Sequence, residues 1–165
     1  MLLALLACAH RSPPPPPAAD GPPEAAAPIA PPAAIDARGL RELLGTKGSN
    51  PLVVNVWATW CGPCVSELGM IQAIAPSLDA RVVLVNVDHV SDADRVAQFV
   101  RDHDVRLPTY HLAVPGVEAV LAADLPGWHG MIPLTLVYGA DAALSGTFDG
   151  VVTDAQIRAA VDGAR

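Results

Sequence analysis

The segment Trp60-Cys61-Gly62-Pro63-Cys64 constrains this chain more than any other stretch of it. It follows the apolar run Leu52-Val53-Val54-Asn55-Val56-Trp57 and precedes a helix-like stretch, so the first thiol falls at the start of a helix. Unpaired N–H groups and the helix dipole stabilise a thiolate at such a position. The second thiol lies one turn further on and can close a disulfide with the first. A strand that runs into a helix through Cys-x-x-Cys is the arrangement dithiol–disulfide exchange requires.

From Ile35 onward, short apolar runs alternate with amphipathic stretches, which predicts an α/β domain. Asp36 is positioned to cap a helix reaching Leu44, with Gly45 as its stop. Leu52 to Trp57 and Arg81 to Val87 read as buried parallel strands. A helix from Pro63 to Ala75, ended by Pro76, joins them into a right-handed βαβ unit. Ser91 is the expected cap of a helix from Asp92 to His103, followed by a strand from Pro108 to Ala113 and a short helix from Gly116 to Ala123. Pro133 to Tyr138 and Gly146 to Val152 form an expected hairpin, and Thr153 with Gln156 caps a closing helix through Val161.

The first third of the chain is different in kind. Ten of the 17 prolines fall between Pro13 and Pro32, among alanines and with no apolar period. Such a segment favours extended polyproline conformations and cannot bury a core. Residues 9–34 are therefore expected to be a disordered tether before a single domain over 35–165. Fully extended, the tether would reach roughly 80 Å at about 3.1 Å per residue. Residues 1–8 end in Leu-Leu-Ala-Cys8, which resembles the lipobox of bacterial lipoprotein signals, where the cysteine is lipidated. The six apolar residues before Cys8 are fewer than a signal core needs and carry no basic flank, so a basic leader upstream of Met1 is expected. The alternative is a plain apolar terminus.

The formal net charge is −7 and Lys47 is the only lysine, which excludes the basic face that nucleic-acid binding needs. With three cysteines in all, no disulfide framework can be built.

Four stretches together resemble the thioredoxin-fold thiol:disulfide oxidoreductases, in particular the membrane-tethered extracytoplasmic group typified by TlpA and ResA. They are Val54-Asn-Val-Trp-Ala-Thr-Trp-Cys-Gly-Pro-Cys64, Glu67, Val83 to Asp88, and Gly130-Met-Ile-Pro-Leu-Thr-Leu-Val-Tyr138. The resemblance covers residues 35–163 and implies a thioredoxin fold, a central mixed β-sheet flanked by helices with βαβ before ββα. It implies that Cys61 is the attacking thiol and Cys64 the resolving one, with no cofactor beyond their redox-active disulfide. It also implies a cis Pro133 opposite them, exposing the backbone of Ile132 to an extended substrate. Trp60, Gly62 and Pro63 would border the substrate, whereas Trp57 belongs to the core. Asn55 stands where cytoplasmic thioredoxins have a buried aspartate, so Glu67 is the candidate proton acceptor for Cys64. Gly69 replaces the proline that kinks the helix in the family.

The expected activity is reduction of extracytoplasmic protein disulfides, with apocytochrome c among the candidate substrates. By resemblance, the reductant would be a membrane thiol-relay protein of the DsbD or CcdA kind, and a lipid anchor at Cys8 would hold the protein on a bacterial membrane. Gly62-Pro63 points to a reductant, since oxidants of the family tend to carry histidine there. Two other readings stay open. One is a copper-binding protein using His129 or another of the histidines 89, 103 and 111. Against it, copper chaperones of this fold space their cysteines by three residues, and one cysteine pair falls short of a zinc site. The other is a non-catalytic docking module.

Overall fold

The structure is a computed structural model and describes residues 27–165. Cys8 and residues 9–26 of the expected tether lie outside the described residues. Six strands form one sheet: β1 (Ala33–Ile35), β2 (Leu52–Trp57), β3 (Arg81–Asn86), β4 (Thr109–Leu112), β5 (Leu134–Tyr138) and β6 (Leu144–Asp149). Their spatial order is β1-β4-β3-β2-β5-β6. The first four run parallel, while β5 is antiparallel to both β2 and β6. Five helices connect them: α1 (Ala37–Leu44), α2 (Gly62–Ile74), α3 (Ala93–Asp102), α4 (Val117–Asp124) and α5 (Asp154–Gly163). This is the mixed sheet with βαβ and ββα halves that the sequence predicts.

The nearly continuous apolar character of β2, interrupted by Asn55 alone, follows from its central place, since all of its residues are buried with helices on both faces. Val53 packs on one face with Ile71 of α2 and with Ile157 and Val161 of α5. Val54 and Val56 face a larger core with Leu40 of α1 and Leu121 of α4. Trp57 is fully buried, as expected, with its ring 5.2 Å from that of Phe99 on α3. Local capping agrees with the sequence at two helices. Asp36 accepts from the Gly39 N–H at 2.8 Å, and Thr153 with Gln156 forms a capping box on α5.

Four expectations need correction. The ordered domain begins before Ile35: β1 starts at Ala33 and pairs with β4, Ile29 packs on the larger core, and the Arg106 guanidinium holds the Ala27 carbonyl at 3.2 Å. Nothing local marks Ala33-Ala34-Ile35 as a strand; pairing with β4 makes it one. Ser91 does not cap α3. It lies in a short 3₁₀ turn capped by His89, and α3 starts from Asp92, whose carboxylate is drawn instead to Arg95 at 2.9 Å. The last strand runs over Leu144–Asp149, not from Gly146 to Val152, because Ala142 turns the chain at φ 67 and Gly150 ends the strand at φ 89. His111, expected at the surface or a strand end, is buried in β4, where its Nε2 lies 3.1 Å from the Asp88 carbonyl oxygen.

Gly69 sits in the middle of α2 on its exposed side, and a methyl group added there would meet nothing within 4 Å. Gly69→Ala is therefore expected to stabilise the fold by about 0.5–1 kcal/mol, through the higher helix propensity of alanine. Denaturant unfolding of the two proteins measures it, and an unchanged or lowered midpoint would contradict this account of α2.

Candidate functional site

Cys61 is the N-cap of α2, with extended backbone angles, and its sulfur accepts the Cys64 N–H at 3.2 Å. Pro63 occupies the first turn, where a missing N–H leaves nothing unpaired. The two cysteines are joined by a disulfide with the sulfurs 2.02 Å and the Cα atoms 5.3 Å apart. They differ in access. Cys64 is fully buried, whereas Cys61 keeps 6 % of its surface exposed at the mouth of the site. An incoming sulfur therefore meets Cys61, and once the disulfide is reduced the same N–H and helix dipole favour the Cys61 thiolate.

The peptide bond Ile132–Pro133 is cis, and the Ile132 carbonyl oxygen lies 3.7 Å from the Cys61 sulfur. The Pro133 carbonyl is taken by the Gly150 N–H at 2.9 Å. Ile132, by contrast, pairs its N–H and carbonyl with no backbone partner among the described residues. Trp60 is 65 % exposed beside Cys61, with the exposed Gly62 and Pro63 completing that rim. The sequence-predicted residues Cys61, Cys64, Trp60, Gly62, Pro63, Ile132 and Pro133 thus lie at one end of the sheet.

Glu67 is buried one turn beyond Cys64. Its carboxylate accepts from the Asn55 side-chain amide at 2.8 Å and from the Val152 N–H at 3.0 Å, and no hydrogen bond joins it to either sulfur. Burial pushes its carboxyl above the usual glutamate range, and these two bonds only partly offset that. Asn55 also donates to the Thr135 hydroxyl at 3.0 Å, while its own carbonyl oxygen is buried without a partner.

Asp88 was part of a matched stretch, but sequence reasoning gave it no role. It is fully buried just past β3 and accepts both the N–H (2.8 Å) and the hydroxyl (2.6 Å) of Thr59, two residues before Cys61. The Asn86 amide and the Arg95 guanidinium complete its shell at 2.6 and 2.7 Å. Burial pushes its carboxyl up, but these donors together outweigh that and hold it below the usual aspartate range. The signal available in the sequence was a lone acid closing an apolar strand with Arg95 seven residues on. Asp88 fixes the turn that presents Trp60 and Cys61.

Histidines 89, 103 and 129 are exposed, and no group of three or more His, Cys, Asp or Glu side chains among the described residues is arranged to hold a metal ion. No helix among the described residues is long and apolar enough to cross a membrane.

The thioredoxin family model matches residues 41–122, from α1 through α4. The chain carries a thioredoxin domain. The matched span ends before the cis proline, so the fold supplies that half of the site independently. The domain is similar to the thioredoxin-like protein CITRX, chloroplastic, of Arabidopsis thaliana, 31% identical over 63% of this chain and 53% of that protein. The chain thus spans about half the length of the curated relatives it matches. Among solved structures, it is similar to a DsbF homologue from Corynebacterium diphtheriae, at 27% identity and a TM-score of 0.56 over 68% of this chain and 71% of that one. It is also similar to a secreted thiol-disulfide isomerase from Corynebacterium glutamicum, at 25% identity and a TM-score of 0.57 over 70% of this chain and 68% of that one.

Two predictions follow from the buried acids of this thioredoxin domain. Folded Glu67 holds its proton to higher pH than the unfolded chain does, so its contribution is full below the ordinary glutamate pKa of about 4.3 and is lost as pH rises through the folded value. Glu67→Gln removes that loss, so the variant's stability relative to the wild type should climb as pH is raised from the ordinary glutamate pKa through the folded value. Urea unfolding at several pH values measures it; a constant difference over that range would refute the assignment. Asp88→Ala leaves four donors facing a void and should lower stability by about 3 kcal/mol in guanidinium unfolding. A loss under about 1 kcal/mol would show that Asp88 does not brace the turn.

Proposed function

We propose that this protein is a thiol:disulfide oxidoreductase that reduces disulfides of extracytoplasmic proteins. The observation that carries the reading is a Cys61–Cys64 disulfide at the start of α2, with only Cys61 accessible and the cis Ile132–Pro133 bond beside its sulfur. In the reduced protein the Cys61 thiolate attacks one sulfur of a substrate disulfide and the other sulfur leaves as thiolate, giving a mixed disulfide. Cys64 loses its proton and attacks the Cys61 sulfur. The second substrate sulfur leaves, and the enzyme disulfide forms. Two electrons have passed to the substrate, and an external dithiol restores the pair. Glu67, with its raised pKa one turn from Cys64, is the acceptor for the Cys64 proton. The unpaired Ile132 backbone receives the substrate strand edge-on.

Several finer points belong to the same reading. The redox centre is the cysteine pair itself. The reductant is a membrane thiol-relay protein of the DsbD or CcdA kind, and Cys8 carries a lipid that fixes the domain on the outer side of a bacterial membrane. Similarity to a secreted thiol-disulfide isomerase supports the compartment. Apocytochrome c, with its own cysteine pair, is a substrate of suitable chemistry.

The test is turnover together with trapping. Dithiothreitol-reduced protein should reduce insulin disulfides, and Cys61→Ser should fall to the uncatalysed rate. Cys64→Ser should accumulate a mixed disulfide on Cys61 in the source cell, since the resolving thiol is gone. Insulin reduction that survives Cys61→Ser, or a reactive Cys61 in Cys64→Ser that holds no protein partner, would refute the proposal.

A further inference from the structure

Cys61 opens onto a cavity of about 420 Å³ whose walls come from two parts of the chain: Trp60 and its neighbours on one side, α4 and the loop leading to Pro133 on the other. Its lining is apolar with a single exception. Trp60, Trp128, Leu121, Met131 and Ile132 contribute surface, and Glu118 of α4 is the only charged residue among the lining residues. Glu118 is exposed and has no ion-pair partner among the described residues, although eight other ion pairs form there. Neither Lys nor Arg lines the cavity. Two indole rings and one unpaired carboxylate bordering the same space form a site whose chemistry suits a cation on an aliphatic stem. Such a group lays its methylenes on apolar surface, its charge over an indole face and its head group on the acid.

Resting on the oxidoreductase reading, we propose that this cavity selects substrate segments carrying a lysine or arginine close to the reactive cysteine, with Glu118 as the specificity-determining residue. The occupant is an extended protein segment. The unpaired backbone of Ile132 lies on the cavity wall next to the Cys61 sulfur, so a strand pairing there runs along the cavity and sends alternate side chains into it. Charge complementarity fixes the sign: an acidic side chain would meet Glu118 and two electron-rich ring faces, whereas a basic one meets three attractive partners.

The experiment compares three peptides of identical length, each with one disulfide to a reporter thiol and differing only in the residues flanking the cysteine: arginine, glutamine or glutamate. Reduced wild-type protein is expected to turn over the arginine peptide about tenfold faster in kcat/KM than the glutamate peptide at low salt. Glu118→Gln should shrink that ratio toward one, and Glu118→Lys should invert it. The ratio between peptides is internal to each variant, so a general loss of folding or activity does not imitate the result. Equal kcat/KM on the arginine and glutamate peptides, or a ratio that Glu118→Lys leaves unchanged, overturns the selectivity while the oxidoreductase reading stands. No reduction of any peptide by the wild type overturns both.

Discussion

The antiparallel pairing of β2 with β5 is the constraint on which this site depends. Val56 lies opposite Leu134, so β2 ends where β5 begins. Whatever follows β2 and whatever precedes β5 must meet at that end of the sheet. The residues concerned are Trp60 to Cys64 on one chain segment and Ile132-Pro133 on the other. Neither segment has much freedom once the register is set. The cysteine side is pinned by the N-cap of α2 and by Asp88 holding Thr59, and the proline side by the Gly150 N–H on the Pro133 carbonyl. A shift of one residue in this pairing would exchange the two buried faces of β2 between the two cores, so the packing that fixes the register also fixes the site.

Two buried carboxylates flank the site, and the number of donors around each decides its character. Asp88 receives four hydrogen bonds, one of them from a guanidinium, and stays charged. Glu67 receives two from neutral groups, and burial prevails. The first therefore acts as a rigid brace, because a permanent charge with a full shell has no reason to move. The second holds its proton to higher pH than an ordinary glutamate does, and it stands on the same helix as the buried sulfur. Asn55 links it to β5 through Thr135, across two residues that lie opposite each other in the sheet.

Much of the fold was legible because it is written in local pattern. β2 and β3 show as valine-rich runs, since central strands are buried on both faces, and α1 and α5 show through their capping residues. β1 was not legible: two alanines and an isoleucine after a proline-rich stretch carry no period, and only a partner strand makes them extended. The limits of β6 were missed because an edge strand needs no apolar alternation; its ends are set by Ala142 and Gly150 in left-handed conformations. Ser91 has the residue type of a cap, but it falls inside the 3₁₀ turn that His89 caps, and α3 starts one residue later from Asp92.

By itself, the sequence determined the chemistry available: two thiols one turn apart at a strand-to-helix junction, and a composition without a basic surface. These depend on neighbouring residues, so they can be read in line. Only the tertiary structure decided which thiol is reachable, that Asp88 is bound into the turn beside Cys61, and that α4 closes a cavity bearing one unpaired acid. Those outcomes rest on contacts between distant parts of the chain. The Cys61 sulfur and the Ile132 carbonyl are 71 residues apart, and Glu67 and Val152 are 85 apart. No local propensity encodes such meetings; the packing of helices on a shared sheet creates them.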